Sequence, residues 1–352
     1  RVVESLSSVA LDAGAQIVIA LDAEGGDRAP SEVVAGALEV ASPKLKVLLV
    51  GRPEVVQPHL EGVSAPDVEL IPCASVIDSY QEPAAAVRSR SDSSIAVGAR
   101  LVREGRALGF VSAGSTGAML AASLLIIRRV PGIRRPAILT TLPGKRGPVL
   151  FLDAGANADC RPEHLLEFAV LGTAYARAVL GKERPTVGLL NIGEERGKGN
   201  ELAIGAHGVL LDSALDFVGN VEGRDLLSDA ADVIVTDGFT GNVALKLLEG
   251  CGGAIFARMK EAAERDLAGK IGGMLLRSRL RALRTDLDPE AYGGTYLLGV
   301  RGLVVICHGN SSRLAIANAL RFGAEALRKG VLGAVEAEVG HILSQMDTSA
   351  SS

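Results

Sequence analysis

The chain has 352 residues, of which 48% are apolar and 3% aromatic, with 42 Gly, no Trp and a formal net charge of -4. That apolar content supports a sizeable core and excludes a disordered chain. The acidic balance and scarce aromatics exclude general nucleic-acid binding, which needs a basic footprint and stacking rings.

The first convincing strand is QIVIALDA, which leaves residues 1–16 as an N-terminal extension. A helix is predicted over 30–41, followed by strands at KVLLVG and VELIPC and a helix over 83–104. GFVSAG reads as a strand and 116–129 as a helix. Then come strands PAILTTLP and VLFLDAG, a helix over 163–180, strand TVGLLNIG, a helix over 199–212, and strands DFVGNV and DVIVTDG. A helix over 241–266, strand LVVICHG and a helix over 312–329 complete the pattern. Such alternation predicts an α/β fold, a mostly parallel sheet flanked by helices. We expect one catalytic domain over 17–345 and a C-terminal tail over 346–352. No internal repeat or secretory signal is apparent, and the longest apolar run, GAMLAASLLII, is too short to span a bilayer. The four cysteines form no CxxC pair and the five histidines no HExxH, so reduced thiols and no metal site are expected.

The polar strand endings carry the functional signal. DAEGGD, SAGSTGA, DAGANADC, NIGEERGKGNE, GNVEGRD, TDGFTGN and CHGNSS each turn an apolar strand into small residues, amides or charges, usually before a helix. In open α/β sheets ligands bind beyond the carboxyl ends of strands, so these loops are expected to converge on one cleft. Free N–H groups at glycine-rich helix starts suit an anion such as phosphate. In SAGSTGA, Gly114 and Gly117 permit close approach, while Ser115 and Thr116 either cap the helix or donate to phosphate. The paired Gly25 and Gly26 suggest that a ligand comes close to the backbone. Neither a P-loop nor GxGxxG is present, so no nucleotide cofactor is implied.

Individual side chains carry two readings each. Lys198, between two glycines, either holds an anion as a point charge or is a solvated loop cation. Asn242 either caps a helix or aims its amide at a reacting carbonyl. Lys246, one turn on, shares that face or pairs with a surface acid. His308 either binds a phosphate or carbonyl oxygen or is structural. Residues 255–284 mix apolar and basic side chains. Gly272 and Gly273 are expected to break a helix there, leaving Met274, Leu275 and Leu276 as the apolar tip of a hairpin flanked by Arg277, Arg279, Arg281 and Arg284. The pattern suits a membrane surface, an acidic partner or an oligomer interface.

Taken jointly, VIALDAEGGDRAP, QEPAAAVRSRSDSS, VSAGSTGAML, VPGIRRPAI, FLDAGANADCRPEHLLEFA, VGLLNIGEERGKGNEL, FVGNVEGRDLL, VTDGFTGNVALK, YGGTYLLG and CHGNSS resemble the PlsX family of phosphate acyltransferases, over almost the whole chain. The resemblance implies a fold like that of isocitrate and isopropylmalate dehydrogenases and of phosphotransacetylases, and a homodimer with no cofactor. It implies transfer of a long acyl chain from acyl carrier protein to inorganic phosphate, yielding acyl-phosphate for a downstream glycerol-3-phosphate acyltransferase. It further implies a cytoplasmic protein held peripherally at an anionic membrane surface through the hairpin. Glu24 stands where the family has Met, Arg28 where His is common, Ser115 where Asn is usual, and Asn310 departs from HGSSD. On this reading Lys198, Asn242 and His308 are catalytic, and Gly25, Gly26, Gly114, Ser115, Thr116, Gly117, Asn157, Asn191 and Lys246 bind phosphate or substrate. The rivals are a short-chain phosphotransacetylase, a nicotinamide-dependent decarboxylating dehydrogenase of similar fold, disfavoured because the loops are richer in Gly and Asn than in paired acids, and a non-catalytic adaptor for the carrier protein.

Overall fold

The computed structural model describes residues 15–78, 80–286 and 294–349, with the side chains of 281–286, 343 and 346–349 outside the described set. Its elements in chain order are β1 (Ile17–Asp22), α1 (Ser31–Val40), β2 (Leu45–Gly51), α2 (Pro53–Val56), β3 (Val68–Pro72), α3 (Pro83–Ser89), α4 (Ser94–Arg103), β4 (Gly109–Ser112), α5 (Thr116–Ala122), β5 (Ala137–Pro143) and β6 (Pro148–Leu152). They continue as α6 (Pro162–Leu180), β7 (Thr186–Asn191), α7 (Glu201–Leu211), β8 (Asp216–Glu222), β9 (Val233–Val235), α8 (Gly238–Glu264), α9 (Leu267–Asp286), β10 (Thr295–Leu298), β11 (Leu303–Ile306), α10 (Arg313–Arg328) and α11 (Val331–Ser349). Of the expected extension over 1–16, residues 1–14 lie outside the described residues, and 346–349 form the last turn of α11 rather than a tail.

The strands form one 11-stranded sheet in the order β3-β2-β1-β4-β11-β10-β5-β6-β9-β7-β8. It is buried on both faces, because helices cover both and successive side chains alternate between them. On β1, Ile17, Ile19 and Leu21 join one apolar core, while Ala20 joins the other with Leu48 and Val50 of β2. The mostly parallel α/β fold is therefore as expected.

Strand direction changes in the middle. β3, β2, β1, β4 and β11 run parallel to one another, and β10 is antiparallel to both β11 and β5. β5 in turn pairs antiparallel with β6, and β6, β9, β7 and β8 run parallel. The carboxyl ends of β1, β4 and β11 thus point one way, and those of β6, β7 and β9 the other. The loops that follow these two sets of strands therefore leave the sheet at opposite ends of the strands.

Three expected helices differ in detail. The segment 83–104 is two helices, because Ser93 caps α4 through the Ala96 N–H at 3.3 Å and Ser94 N–H bonds the Ser75 carbonyl at 3.0 Å. After α5 the chain continues as a π-helical segment over Ser123–Ile127 and stops at Arg128, whose φ is +78°. The helix expected from 241 starts at Gly238, because Asp237 accepts the Thr240 N–H at 2.9 Å and its hydroxyl at 2.7 Å.

The hairpin turns elsewhere than expected. Gly272 and Gly273 lie inside the continuous helix α9, and the turn is at Arg265–Asp266, where Asp266 accepts the Gly269 N–H at 2.7 Å. A Cβ on Gly273 would lie 2.9 Å from the Cβ of Ala263, so this glycine lets α9 pack closely on α8. Met274, Leu275 and Leu276 are exposed along the side of α9 rather than at a tip. Among the described residues no helix is long and apolar enough to cross a membrane.

Candidate active site

Two clusters of loops emerge, one at each end of the strands. The first surrounds a cavity of about 540 Å³ beyond β1, β4 and β11, lined by Gly25, Gly26, Gly114, Ser115, Thr116 and Gly117 together with Gly309. Asp22 organises it. Its carboxylate is 1% exposed and accepts the Ser112 hydroxyl at 2.8 Å and the Glu24 N–H at 3.2 Å, and Ser112 in turn accepts the Gly114 N–H at 2.9 Å. Burial pushes the Asp22 carboxyl up, opposed by the hydroxyls of Ser112 and Ser94 and the Glu24 N–H. One chain of bonds thereby ties the β1 loop to the β4 loop.

That tie explains the paired glycines differently from the sequence. A Cβ on Gly25 would lie 2.6 Å from Asp22 Oδ2 and 2.8 Å from the Gly114 nitrogen. Gly26 has φ +101°, and a Cβ there would lie 2.8 Å from the Gly309 carbonyl oxygen. The close approach is made by the protein's own loops. The Asp27 N–H completes it by bonding the Gly309 carbonyl at 2.6 Å. Ser115 caps α5, accepting the Ala118 N–H at 3.4 Å, whereas Thr116 is exposed.

The side-chain charge of this cavity is acidic. Four carboxyl-bearing residues, Asp22, Glu24, Asp27 and Asp78, line it with no Lys or Arg. Glu24 is neutralised from outside: Arg52 donates through Nη2 at 2.7 Å and Nε at 3.0 Å, and its N–H at 2.7 Å. A dianion here needs a cation that the lining residues do not supply.

The second cluster lies beyond β6, β7 and β9. Asp153, fully buried, accepts the N–H groups of Ile138, Gly155, Ala156 and Asn157 and the Asn157 side-chain amide, at 2.7–3.2 Å. Burial pushes its carboxyl up against the pull of those donors. Asn157 is buried and gives its remaining amide hydrogen to the Pro136 carbonyl at 2.8 Å, so both its amide hydrogens hold the loop. The start of α8 packs on this loop: a Cβ on Gly155 would lie 3.5 Å from Asn242, and one on Gly238 2.7 Å from the Asn157 backbone. Since Asp237 is the cap, Asn242 sits in the second turn with its side chain exposed and free of that duty. Lys246 is exposed one turn further on the same face.

Lys198 belongs to this cluster, because β7 and β9 are neighbours with the same direction. Its side chain is exposed, and its ammonium has no bonding partner among the described residues. The backbone is held instead. Its N–H bonds the Glu195 carbonyl at 3.0 Å and its carbonyl accepts the Asn191 side-chain amide at 3.0 Å, while Asn191 Oδ1 accepts the Ile192 N–H at 2.8 Å. Asn191 thus shapes the lysine loop; both ends of its amide are spent on the protein. Asn220, which the sequence reading did not single out, donates to the Glu195 carbonyl at 2.9 Å and is itself held by the buried His207 ring at 3.0 Å. The only sequence hint was its place in the polar ending GNVEGRD.

His308 joins neither Lys198 nor Asn242. Its Nε2 lies 3.6 Å from Glu249 on α8. Glu249 is seven residues beyond Asn242, roughly 10 Å along the helix axis. On α9, Arg277 and Arg279 are exposed; the side chains of Arg281 and Arg284 lie outside the described residues.

A fold likeness defines the class. The EutD phosphotransacetylase from Staphylococcus aureus superposes with a TM-score of 0.59 over 90% of this chain and 95% of its own, at 19% identity. A phosphotransacetylase from Streptococcus pyogenes gives 0.59 over 89% and 94%, at 20% identity. The fold is of the phosphotransacetylase kind. Family identity comes from sequence: the fatty acid synthesis protein family matches residues 17–333. The chain is 47% identical to a phosphate acyltransferase of Heliobacterium modesticaldum over 91% of its length and 97% of that protein, and 45% identical to one of Trichodesmium erythraeum over 89% and 94%. The chain belongs to this family, PlsX, and is an acyltransferase.

Proposed function

We propose that the chain transfers a long-chain fatty acyl group from acyl carrier protein to inorganic phosphate, giving acyl-phosphate for glycerol-3-phosphate acylation. The observation that carries this reading is the placement of Lys198 and Asn242 at neighbouring strand ends, both exposed, with the lysine loop held by Asn191 and Asn220 and the start of α8 capped by Asp237. Phosphate is largely dianionic near neutral pH, and a thiolate leaves readily, so the protein's tasks are positioning and charge stabilisation. Lys198 holds the phosphate. A phosphate oxygen attacks the thioester carbonyl carbon, Asn242 donates to the oxyanion, and the C–S bond breaks to release the carrier's thiolate, which takes a proton from water. No acyl-enzyme forms. Lys246 adds positive charge on the same face.

We further infer that two copies complete each site. The cavity beyond β1, β4 and β11 is lined by carboxylates and no Lys or Arg, whereas Lys198 and Lys246 of the other cluster are exposed cations. Phe239, Val243 and Leu247, 54–67% exposed, form an unpartnered apolar stripe on α8 beside Asn242. A second copy seated on that stripe brings its cavity to Lys198 and Asn242. Exposed Leu267, Ile271, Met274 and Leu275 with Arg277 and Arg279 on α9 suit peripheral contact with the anionic inner face of the cell membrane.

The test is incubation with palmitoyl-acyl carrier protein and labelled phosphate, with acetyl-CoA as parallel donor. Acyl-phosphate from the carrier substrate alone, lost in Lys198→Ala and Asn242→Ala, is the expected result. Product from acetyl-CoA alone, or near-normal rates in both variants, overturns it.

A further inference from the structure

The cationic side chains between α3 and α4 have no place in this chemistry. Between residues 88 and 106 stand five arginines and two acids, in a chain whose net charge is -4. Arg88, Arg100 and Arg103, with Ser91 and the single acid Glu104, border a concavity of about 500 Å³ whose apolar floor is Val87, Leu125 and Ile126. Arg88 and Arg103 have no hydrogen bond or ion pair among the described residues, and Arg100 donates to the Ser91 carbonyl. A lone solvated arginine needs no explanation. Three of them against the single carboxylate of Glu104 leave a net positive rim around one apolar depression, which an anionic surface would neutralise.

The concavity is linked to the cavity of the proposed site by two elements. α4 lines that cavity with Ser94 and Ile95 and the concavity with Arg100 and Arg103. α5 lines the cavity with Thr116 and Gly117, and its π-helical continuation lines the concavity with Leu125 and Ile126. Ser94 to Arg103 and Thr116 to Leu125 are each nine residues apart, roughly 14 Å of helix, and the nearest pair, Ile95 and Arg100, is five apart. An acyl group on a flexible prosthetic arm covers such a distance, provided its carrier docks at the far end.

We propose that this concavity is the docking surface for the acidic carrier protein that brings the acyl group; the proposal rests on the acyl-transfer reading above. Exposed guanidiniums around an open rim suit carboxylates on a helix, and the apolar floor takes a ridge of side chains between them. A small anion would require buried donors, which the rim lacks. A membrane presents no ridge to fill a depression. The basic surface of α9 is thereby left to lipid.

The test uses the full chain carrying Arg88→Glu and Arg103→Glu, whose side chains hold nothing else in place. Rates are measured with palmitoyl-acyl carrier protein and with palmitoyl-pantetheine, which lacks the carrier. Expected is a KM for the carrier substrate raised about tenfold or more, kcat within about twofold, and an unchanged KM for the pantetheine donor. The salt dependence of the carrier KM should flatten in the variant. Binding of fluorescently labelled carrier, without turnover, and sedimentation with phosphatidylglycerol vesicles complete the set. Carrier binding lost in the variant supports docking even if the wild type makes no acyl-phosphate, a result that sinks only the acyl-transfer reading. An unchanged carrier KM and affinity, an equal loss with both donors, or lost vesicle binding with carrier affinity intact overturns the proposal.

Discussion

Asp153 holds Asn157 by both of its amide groups: the carboxylate accepts the backbone N–H at 2.7 Å and the side-chain Nδ2 at 2.8 Å. The carboxylate is enclosed, so removing it leaves several buried donors unpaired at once. Asp153→Ala should cost about 3 kcal/mol or more in urea unfolding. Asp153→Asn should recover little, because an amide nitrogen placed among N–H donors has nothing to give to. An unchanged urea midpoint in both would contradict the bonding described.

Gly241 tests how tightly α8 sits on the same loop. A Cβ there would lie 1.9 Å from the Asp153 carbonyl oxygen, whereas one on Gly253 of the same helix meets nothing within 4 Å. Glycine to alanine normally favours a helix by up to about 1 kcal/mol. Gly253→Ala should follow that rule. Gly241→Ala should reverse it, destabilising by about 2 kcal/mol or more as the helix start is displaced. Thermal unfolding of the pair reads the sign directly.

Asn220 and His207 act on Lys198 through the Glu195 carbonyl. Asn220→Ala should lower kcat about tenfold and raise the KM for phosphate, with the unfolding midpoint little changed. Asn220→Asp should not rescue, since a carboxylate then faces the carbonyl. His207→Gln, which can still donate to Asn220, should retain more activity than His207→Ala. Equal kinetics in all four would remove the positioning role.

The shared site predicts complementation. Lys198→Ala, and Thr116→Trp filling the cavity, should each be inactive. Co-expressed, they should regain activity, because one site of each mixed dimer keeps an intact lysine loop and an intact cavity. Failure of mixed dimers to regain activity would place both halves within one chain.

Asp232 supplies a pH dependence. Burial pushes its carboxyl up, but the Thr186 N–H and hydroxyl at 2.9 and 3.0 Å and Lys182 at 3.0 Å outweigh it and hold the group below its ordinary value of 3.8. A depressed folded value means the stabilisation is full above 3.8 and is lost as the pH falls through the folded value. The stability deficit of Asp232→Asn should therefore be largest near neutrality and narrow below that pH.

Much of the fold was legible because its signals are local. Period and polarity marked ten of the eleven strands among the described residues, since strands buried on both faces read as apolar runs. The strand Thr295–Leu298 was quoted only as a motif, and α11 was not foreseen. Small-residue loops at strand ends are what singled out Lys198 and Asn242 as candidates. Asp22, Asp153, Asn220 and His207 were harder to find: their partners lie up to 90 residues away or on another strand, as with Ser112 for Asp22. The glycines at 272 and 273 misled, because a glycine can serve close packing as well as interruption, and only Ala263 across the hairpin distinguishes the two.

The sequence by itself determined the alternation of strands and helices, the family, and which loops are rich in small and polar residues, because each is written in contiguous stretches. Tertiary structure alone decided which loops face one another. β10 and β5 insert antiparallel between two parallel halves, so strand ends that look equivalent in sequence point in opposite directions. Strand direction follows from hydrogen-bonded pairing between distant segments, and no local pattern of residues encodes it.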